Sequence, residues 1–353
     1  MKQFGTYHPE DVSILLKDIT GMVEPMGTEE RERAIQSGRH YSEMLPIEYQ
    51  PSPAYLAAYR DALNRYAAIT ARAVSVTAEK IWQQKGKSVV LVSLARAGTP
   101  IGILLKHEIW RRHHIDVPHA TISIIRGVGI DHNAMRYILK RHKPESIQFV
   151  DGWTGKGAIQ HQLELAMRDY PGVDSSLAVL SDPAHIAGIC GTHEDFLIAS
   201  SCLNSTVSGL LSRTFLRNDI IRKDDFHGAV FYKELQDHDL TYDFLNTIEK
   251  AIPEEIPPWK NAKDVFRGAG ISEVKKIAQD FGVQDINLVK PGIGEATRVL
   301  LRRLPWKILV HSMEDQEHLG HIYQLAKEKE VPVVPYPLVH YRACGLIRAI
   351  ADT

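Results

Sequence analysis

The chain has 353 residues, of which 44% are hydrophobic and 24% charged, with a formal net charge of −1 and a pI near 7.0. Those values predict an ordinary globular protein of two or three domains and exclude a global attraction to nucleic acid, so that any such site must be a local patch. Three widely spaced cysteines (Cys190, Cys202, Cys344) form neither a C-x-x-C pair nor a disulfide framework; with no membrane-length apolar run and no signal-peptide core, a reducing, cytoplasmic setting is expected.

Residues 1–50 are polar and proline-punctuated, with a short helix expected over Glu29–Ser37. Ser52-Pro53 then supplies an N-cap and a first-turn proline to a helix whose apolar positions recur through Lys85, where Gly86 stops it. The next segment alternates. Strands are expected at Ser88–Leu94, His119–Ile125, Ser146–Val150 and Ser176–Ser181, and helices at Thr99–Arg112 and Ala158–Asp169. Continuous apolar strands separated by helices predict a doubly wound parallel sheet, whose ligands lie beyond the carboxyl ends of the strands. The basic stretch Arg126–Glu145 is read as a mobile loop over Arg126–Ile130 followed by a helix. Asp182–Arg213 is rich in small polar residues and suits a site rim; Ala251–Trp259, rich in proline, suits a linker. From about Lys263 the alternation restarts. Helices are expected at Glu273–Phe281, Glu295–Arg303 and Leu319–Lys329, and strands at Asp285–Val289, Lys307–His311 and Val331–Val334, as a small α/β sandwich.

Two turns at strand ends carry the chemistry. In Asp151-Gly152-Trp153-Thr154-Gly155-Lys156-Gly157-Ala158 an acid at a strand tip precedes a glycine-rich turn and a helix start, an arrangement that presents backbone N–H groups and a favourable helix field to a phosphate. It is no Walker A loop, because Gly157 follows Lys156 and Val150 occupies the first-glycine position; nor is it a dinucleotide G-x-G-x-x-G. The companion turn, Ala95-Arg96-Ala97-Gly98-Thr99, follows the first core strand and combines small residues with one cation.

Together the turns resemble those of type I phosphoribosyltransferases, in which the first-named loop holds the ribose and 5′-phosphate of phosphoribosyl pyrophosphate (PRPP) and the second its pyrophosphate. Asp151 to Gly157 keeps the family's spacing, whereas Gly152 replaces the second acid of the family's pair. The resemblance implies a Mg²⁺ ion carried by PRPP near Asp151, with no ligand set of its own from side chains. It also implies that Asp151 and the cations Arg126 and Arg136 are catalytic, and that Thr154, Gly155, Lys156, Gly157 and Ala158 bind phosphate. Ala95, Arg96, Ala97, Gly98 and Thr99 would bind pyrophosphate.

Further along, Lys290-Pro291-Gly292-Ile293-Gly294-Glu295-Ala296-Thr297-Arg298 places a glycine-rich turn before a helix. It resembles the Pelota-type RNA-binding domain, which implies RNA contacts at Lys290, Gly292, Gly294, Glu295, Thr297 and Arg298. The pairing of both segments resembles a bacterial family associated with tellurite-resistance stress operons, some of whose members carry the name cysteine protease StiP.

The expected organisation is a hood (1–50), a phosphoribosyltransferase-like core with rim (51–215), a connecting segment (216–262) and a Pelota-like domain (263–353). The expected activity is Mg²⁺-dependent transfer of phosphoribose from PRPP to a base-like acceptor under the hood, in a homo-oligomer with structured RNA as a further partner. Two alternatives stand beside it: a cysteine hydrolase using Cys190 or Cys202, with His185 and His193 nearby in sequence, and a non-catalytic PRPP- or RNA-binding regulator. His318 and His321 offer a two-histidine helix face without a third metal ligand.

Overall fold

The computed structural model describes residues 4–259 and 265–348. The domain boundary expected at residue 262 lies outside the described residues.

The elements used below are β1 (Ser13–Ile14), α1 (Thr28–Gln36), α2 (Pro53–Lys85), β2 (Val90–Leu94), α3 (Gly98–His113), β3 (His119–Ile122) and α4 (His132–Leu139). They continue with β4 (Ile147–Val150), α5 (Ala158–Ala166), β5 (Leu177–Ser181), β6 (Ile189–Thr192) and α6 (Thr241–Lys250). The first sheet is parallel throughout, in the order β1-β3-β2-β4-β5-β6. Its strands are buried on both faces, which explains their continuous apolar runs. Leu91, Val150, Ala178 and Leu180 point into the cluster containing α2 and α3. Their neighbours Val92, Phe149, Leu177 and Val179 point into the cluster containing α4 and α5, as a period of two requires.

Ser52 caps α2 through Tyr55 N, at 3.4 Å, and Pro53 occupies its first turn. The stretch after β3 is more ordered than a mobile loop: Ile124–Ile125 pairs antiparallel with Gly129–Ile130, and Asp131 caps α4 through the amides of Asn133 and Ala134. Residues expected to belong to the hood also supply β1, an edge strand beside β3.

The smaller second domain comprises α7 (Ala269–Asp280), β7 (Val289–Pro291), α8 (Ile293–Arg302), β8 (Pro305–Val310), α9 (Gln316–Glu328), β9 (Val333–Pro335) and β10 (Ala343–Ile347). Its mixed sheet runs β7-β10-β8-β9. The strand expected at Asp285–Val289 is instead a short 3-10 turn over Ile286–Leu288 leading into β7. Asp285 starts that turn by accepting Asn287 N at 2.8 Å, a local bond that competes with an extended backbone. Among the described residues, no helix is long and apolar enough to cross a membrane.

Candidate functional site

β2 and β4 are neighbours, so their two terminal turns lie side by side. Gly98 permits this approach: a Cβ there would stand 2.5 Å from the Val150 carbonyl oxygen. Gly157 has a φ of 77°, which sets the sharp entry into α5. The Ala95–Arg96 peptide is cis.

Both turns open into a cavity of about 780 Å³. Of the sequence candidates, Ala95, Arg96 and Ala97 line it from one turn, and Asp151 with residues 154–158 from the other. Arg126 reaches it from the hairpin after β3. Lys290, Glu295 and Arg298 line the same cavity from the second domain. Two motifs that the sequence assigns to separate ligands therefore face one space.

Several candidates sit elsewhere. Arg136 is exposed on the outer face of α4 and bonds Asn133, outside the cavity lining. Thr99 is buried with its hydroxyl 2.8 Å from that of Thr121. Arg96 is committed to the rim, donating to Leu211 O at 2.9 Å and Asn204 Oδ1 at 2.7 Å. Lys156 reaches across to the second domain, donating to the carbonyls of Ile286 and Val289. Thr154 donates to Asp182 Oδ1 at 2.6 Å, and Tyr341 of the second domain donates to Gly155 O at 2.6 Å. The second domain is thus packed directly on the Asp151 loop.

The Lys290–Arg298 turn faces inward. Gly292 and Gly294 face Asp195, Ser201 and Trp153 of the core. Thr297 is fully buried and bonded to Ile293 O and His321. Asp195, unflagged by the sequence, accepts from Ile293 N at 3.0 Å, the first amide of α8, and from Arg342 N at 2.8 Å, just before β10.

The electrostatics follow from burial. Burial pushes the Asp151 carboxyl up to about 7 against the opposing amide of Gly152 and the charge of Arg298. Burial, with Lys290 and Arg126 nearby, pushes Lys156 down to about 7. Burial alone would raise Glu295, but Arg298 and Lys290 hold it below the ordinary carboxylate range. Nine Arg and Lys side chains against five Asp and Glu line the cavity, so an anion is favoured there. Arg31, Arg213, Arg302 and Arg303 are cavity cations that sequence reasoning missed; each lies on a different stretch or helix end from the glycine-rich turns and carries no motif.

A second constellation lies at β6. Cys190 Sγ is 3.5 Å from His193 Nε2, and His193 Nδ1 is 2.8 Å from Asp182 O. The ligating atoms of Asp182, Cys190 and His193 fall within 4.8 Å of one another. Asp182, however, is fully buried and already bonded to Thr154, Ile186 N and Ala187 N. Burial and Asp182 push the Cys190 thiol up to about 12. Cys202 is buried in the core, its thiol also pushed up to about 12. His318 and His321 turn to different partners, Asp315 and Thr297, instead of converging.

Residues 5–249 match the family described as tellurite-like stress resistance cysteine protease StiP. The chain belongs to this family. A curated relative, "Cysteine protease StiP" of Acinetobacter baylyi, is 36% identical over 98% of this chain and 94% of its own. Residues 268–349 match the PELOTA RNA-binding domain. Among solved structures, the chain is similar to a hypoxanthine-guanine phosphoribosyltransferase from Bacillus anthracis, at 15% identity and a TM-score of 0.27, covering 36% of this chain and 77% of that one. It is also similar to the hypoxanthine phosphoribosyltransferase of Trypanosoma cruzi, at 17% identity and a TM-score of 0.28, covering 35% and 76%.

Proposed function

We propose that the chain is an enzyme of the phosphoribosyltransferase type, moving phosphoribose from PRPP to a base-like acceptor in the cavity between the two domains. The observation that carries this reading is the convergence of Asp151, both strand-end turns and the cations Arg126, Lys290 and Arg298 on one space. Asp151 would hold the ribose hydroxyls. Backbone amides of 155–158 would hold the 5′-phosphate and those of Arg96 and Ala97 the pyrophosphate, since the amides of Ala95, Thr99 and Thr154 are taken by the carbonyls of Ile122, Arg96 and Ser181. The bond from the anomeric carbon to pyrophosphate breaks as the bond to the acceptor forms. Negative charge grows on the leaving group, where Arg126, Lys290 and Arg298 act most strongly. Asp151 is a single carboxylate at the strand tip, and one carboxylate plus substrate phosphates suits Mg²⁺. The ion would neutralise the departing pyrophosphate.

Calorimetry with PRPP and Mg²⁺ tests this reading. Wild type should bind and Asp151→Ala should lose at least about tenfold in affinity, or about 1.4 kcal/mol; no heat from wild type would sink it. A second reading, cysteine hydrolysis, is favoured by the Cys190–His193 distance of 3.5 Å and the name of the Acinetobacter relative. The buried, high-pKa thiol weighs against it, because the thiolate is the nucleophile. For the second domain we propose that the turn assigned to RNA closes the site in this chain, since Asp195 engages its Ile293 amide and its glycines face the core.

A further inference from the structure

A group of guanidinium groups lines the cavity from the hood and rim and is not needed to hold PRPP, whose phosphates the reading above assigns to the two strand-end turns. Arg31 on α1 is only 7% exposed, yet among the described residues its Nε has no hydrogen-bond partner. Arg303, at the end of α8, likewise has a buried Nε with no partner. Arg213 stacks over Tyr41, its guanidinium carbon 4.4 Å from the ring centre, and no carboxylate among the described residues lies within ion-pair reach of it. Tyr41 is itself fixed by accepting the Arg126 amide at 2.8 Å. Arg31 has Arg303 as a charged neighbour and Arg213 has both, and Glu32, 3.1 Å from Arg303, is the acid beside Arg31 and Arg303.

Three like charges, one buried and two half-buried, gathered around one counter-charge are unfavourable unless a ligand supplies the missing negative charge. A guanidinium presents a planar fork of donors that matches carboxylate and phosphate oxygens. The position matters as well. Arg31 and Tyr41 belong to the hood and Arg213 to the rim, which enclose the acceptor in the proposed reaction. We propose that the acceptor is an anion, a heterocycle bearing a carboxylate or phosphate, whose charged group is held by Arg31, Arg213 and Arg303. This rests on the transferase reading for the word acceptor; the anion subsite stands on its own geometry.

The test uses the full chain and matched pairs of probes in calorimetry: orotate against uracil, nicotinate against nicotinamide, and pyridoxine 5′-phosphate against pyridoxine. At least one charged member should bind about tenfold tighter than its neutral partner, a factor worth about 1.4 kcal/mol. The first two pairs report a carboxylate preference and the third a phosphate preference. Arg31→Met and Arg303→Met should each abolish most of that preference, while PRPP–Mg²⁺ binding stays within about twofold of wild type, which also shows that the variants are folded. Equal binding of charged and neutral members, a preference that survives both substitutions, or no binding by any charged member overturns the proposal. Asp151→Ala separates the two readings: it should lose PRPP but keep the charged-ligand preference. If wild type binds no PRPP yet keeps an arginine-dependent preference, the transferase reading fails and the anion subsite remains.

Discussion

The carboxylate of Asp195 accepts the backbone amide of Ile293 at 3.0 Å, so a core loop caps the first turn of a helix in the other domain. The same carboxylate takes Arg342 N at 2.8 Å. Asp195→Ala leaves these amides without their acceptor at a buried junction, where each unsatisfied donor costs roughly 1–3 kcal/mol. Urea unfolding should show a loss of about 2–4 kcal/mol. A loss below about 0.5 kcal/mol would mean that the junction does not depend on this cap.

Asp151 titrates near 7 because burial disfavours its charge. Between about pH 4 and 7 the folded chain keeps a proton that the unfolded chain releases, so this group lowers stability as pH rises through that window. Asp151→Asn removes the dependence. Its thermal midpoint at pH 8 should equal or exceed that of wild type, with the gain shrinking towards pH 5. A uniform drop at both pH values would assign Asp151 a purely structural role.

His107 lies between Glu249, 2.7 Å from Nδ1, and Asp11, 2.8 Å from Nε2, tying α3 to α6 and to the N-terminal segment. Burial alone would lower its pKa, but these two acids raise it to about 9. The contribution is therefore complete below about pH 6.5 and lost as pH rises through about 9. His107→Gln should cost about 1 kcal/mol at pH 6, a value discounted for the partial solvent exposure of the ring, and little at pH 10. Denaturation at the two pH values measures the difference.

Cys190 discriminates the readings of the activity. Its buried thiol should react with iodoacetamide at pH 7.5 far more slowly than a free thiol, since little thiolate is present. Cys190→Ser should leave PRPP binding within about twofold of wild type. Rapid alkylation, or peptidase activity lost in Cys190→Ser and kept in Asp151→Ala, would place the chemistry at β6 instead.

The parallel sheet was legible because strands buried on both faces write themselves as unbroken apolar runs, and both phosphate-type turns fall at strand ends. β6 was not legible. Its four residues include Gly191, where a Cβ would stand 2.6 Å from Ala73, so packing against α2 demanded a small residue that reads as loop. β10 was hidden for the same reason, since Gly345 lies under Val299. The site was half legible. Asp151 and Lys290–Arg298 carry local patterns, but nothing in the sequence says that they share a space. Arg31, Asp195 and Arg213 have no pattern at all; their roles arise from tertiary contact alone.

Glu32 meets Arg303 across 271 positions of sequence. A nascent chain emerging from the ribosome would hold the complete sheet and the Asp151 loop long before α8 is synthesised. It would then carry an open, undercharged pocket. Any catalysis that draws on both walls switches on only once α8 has been made, so translation products stopped before it would be inert towards the ligand.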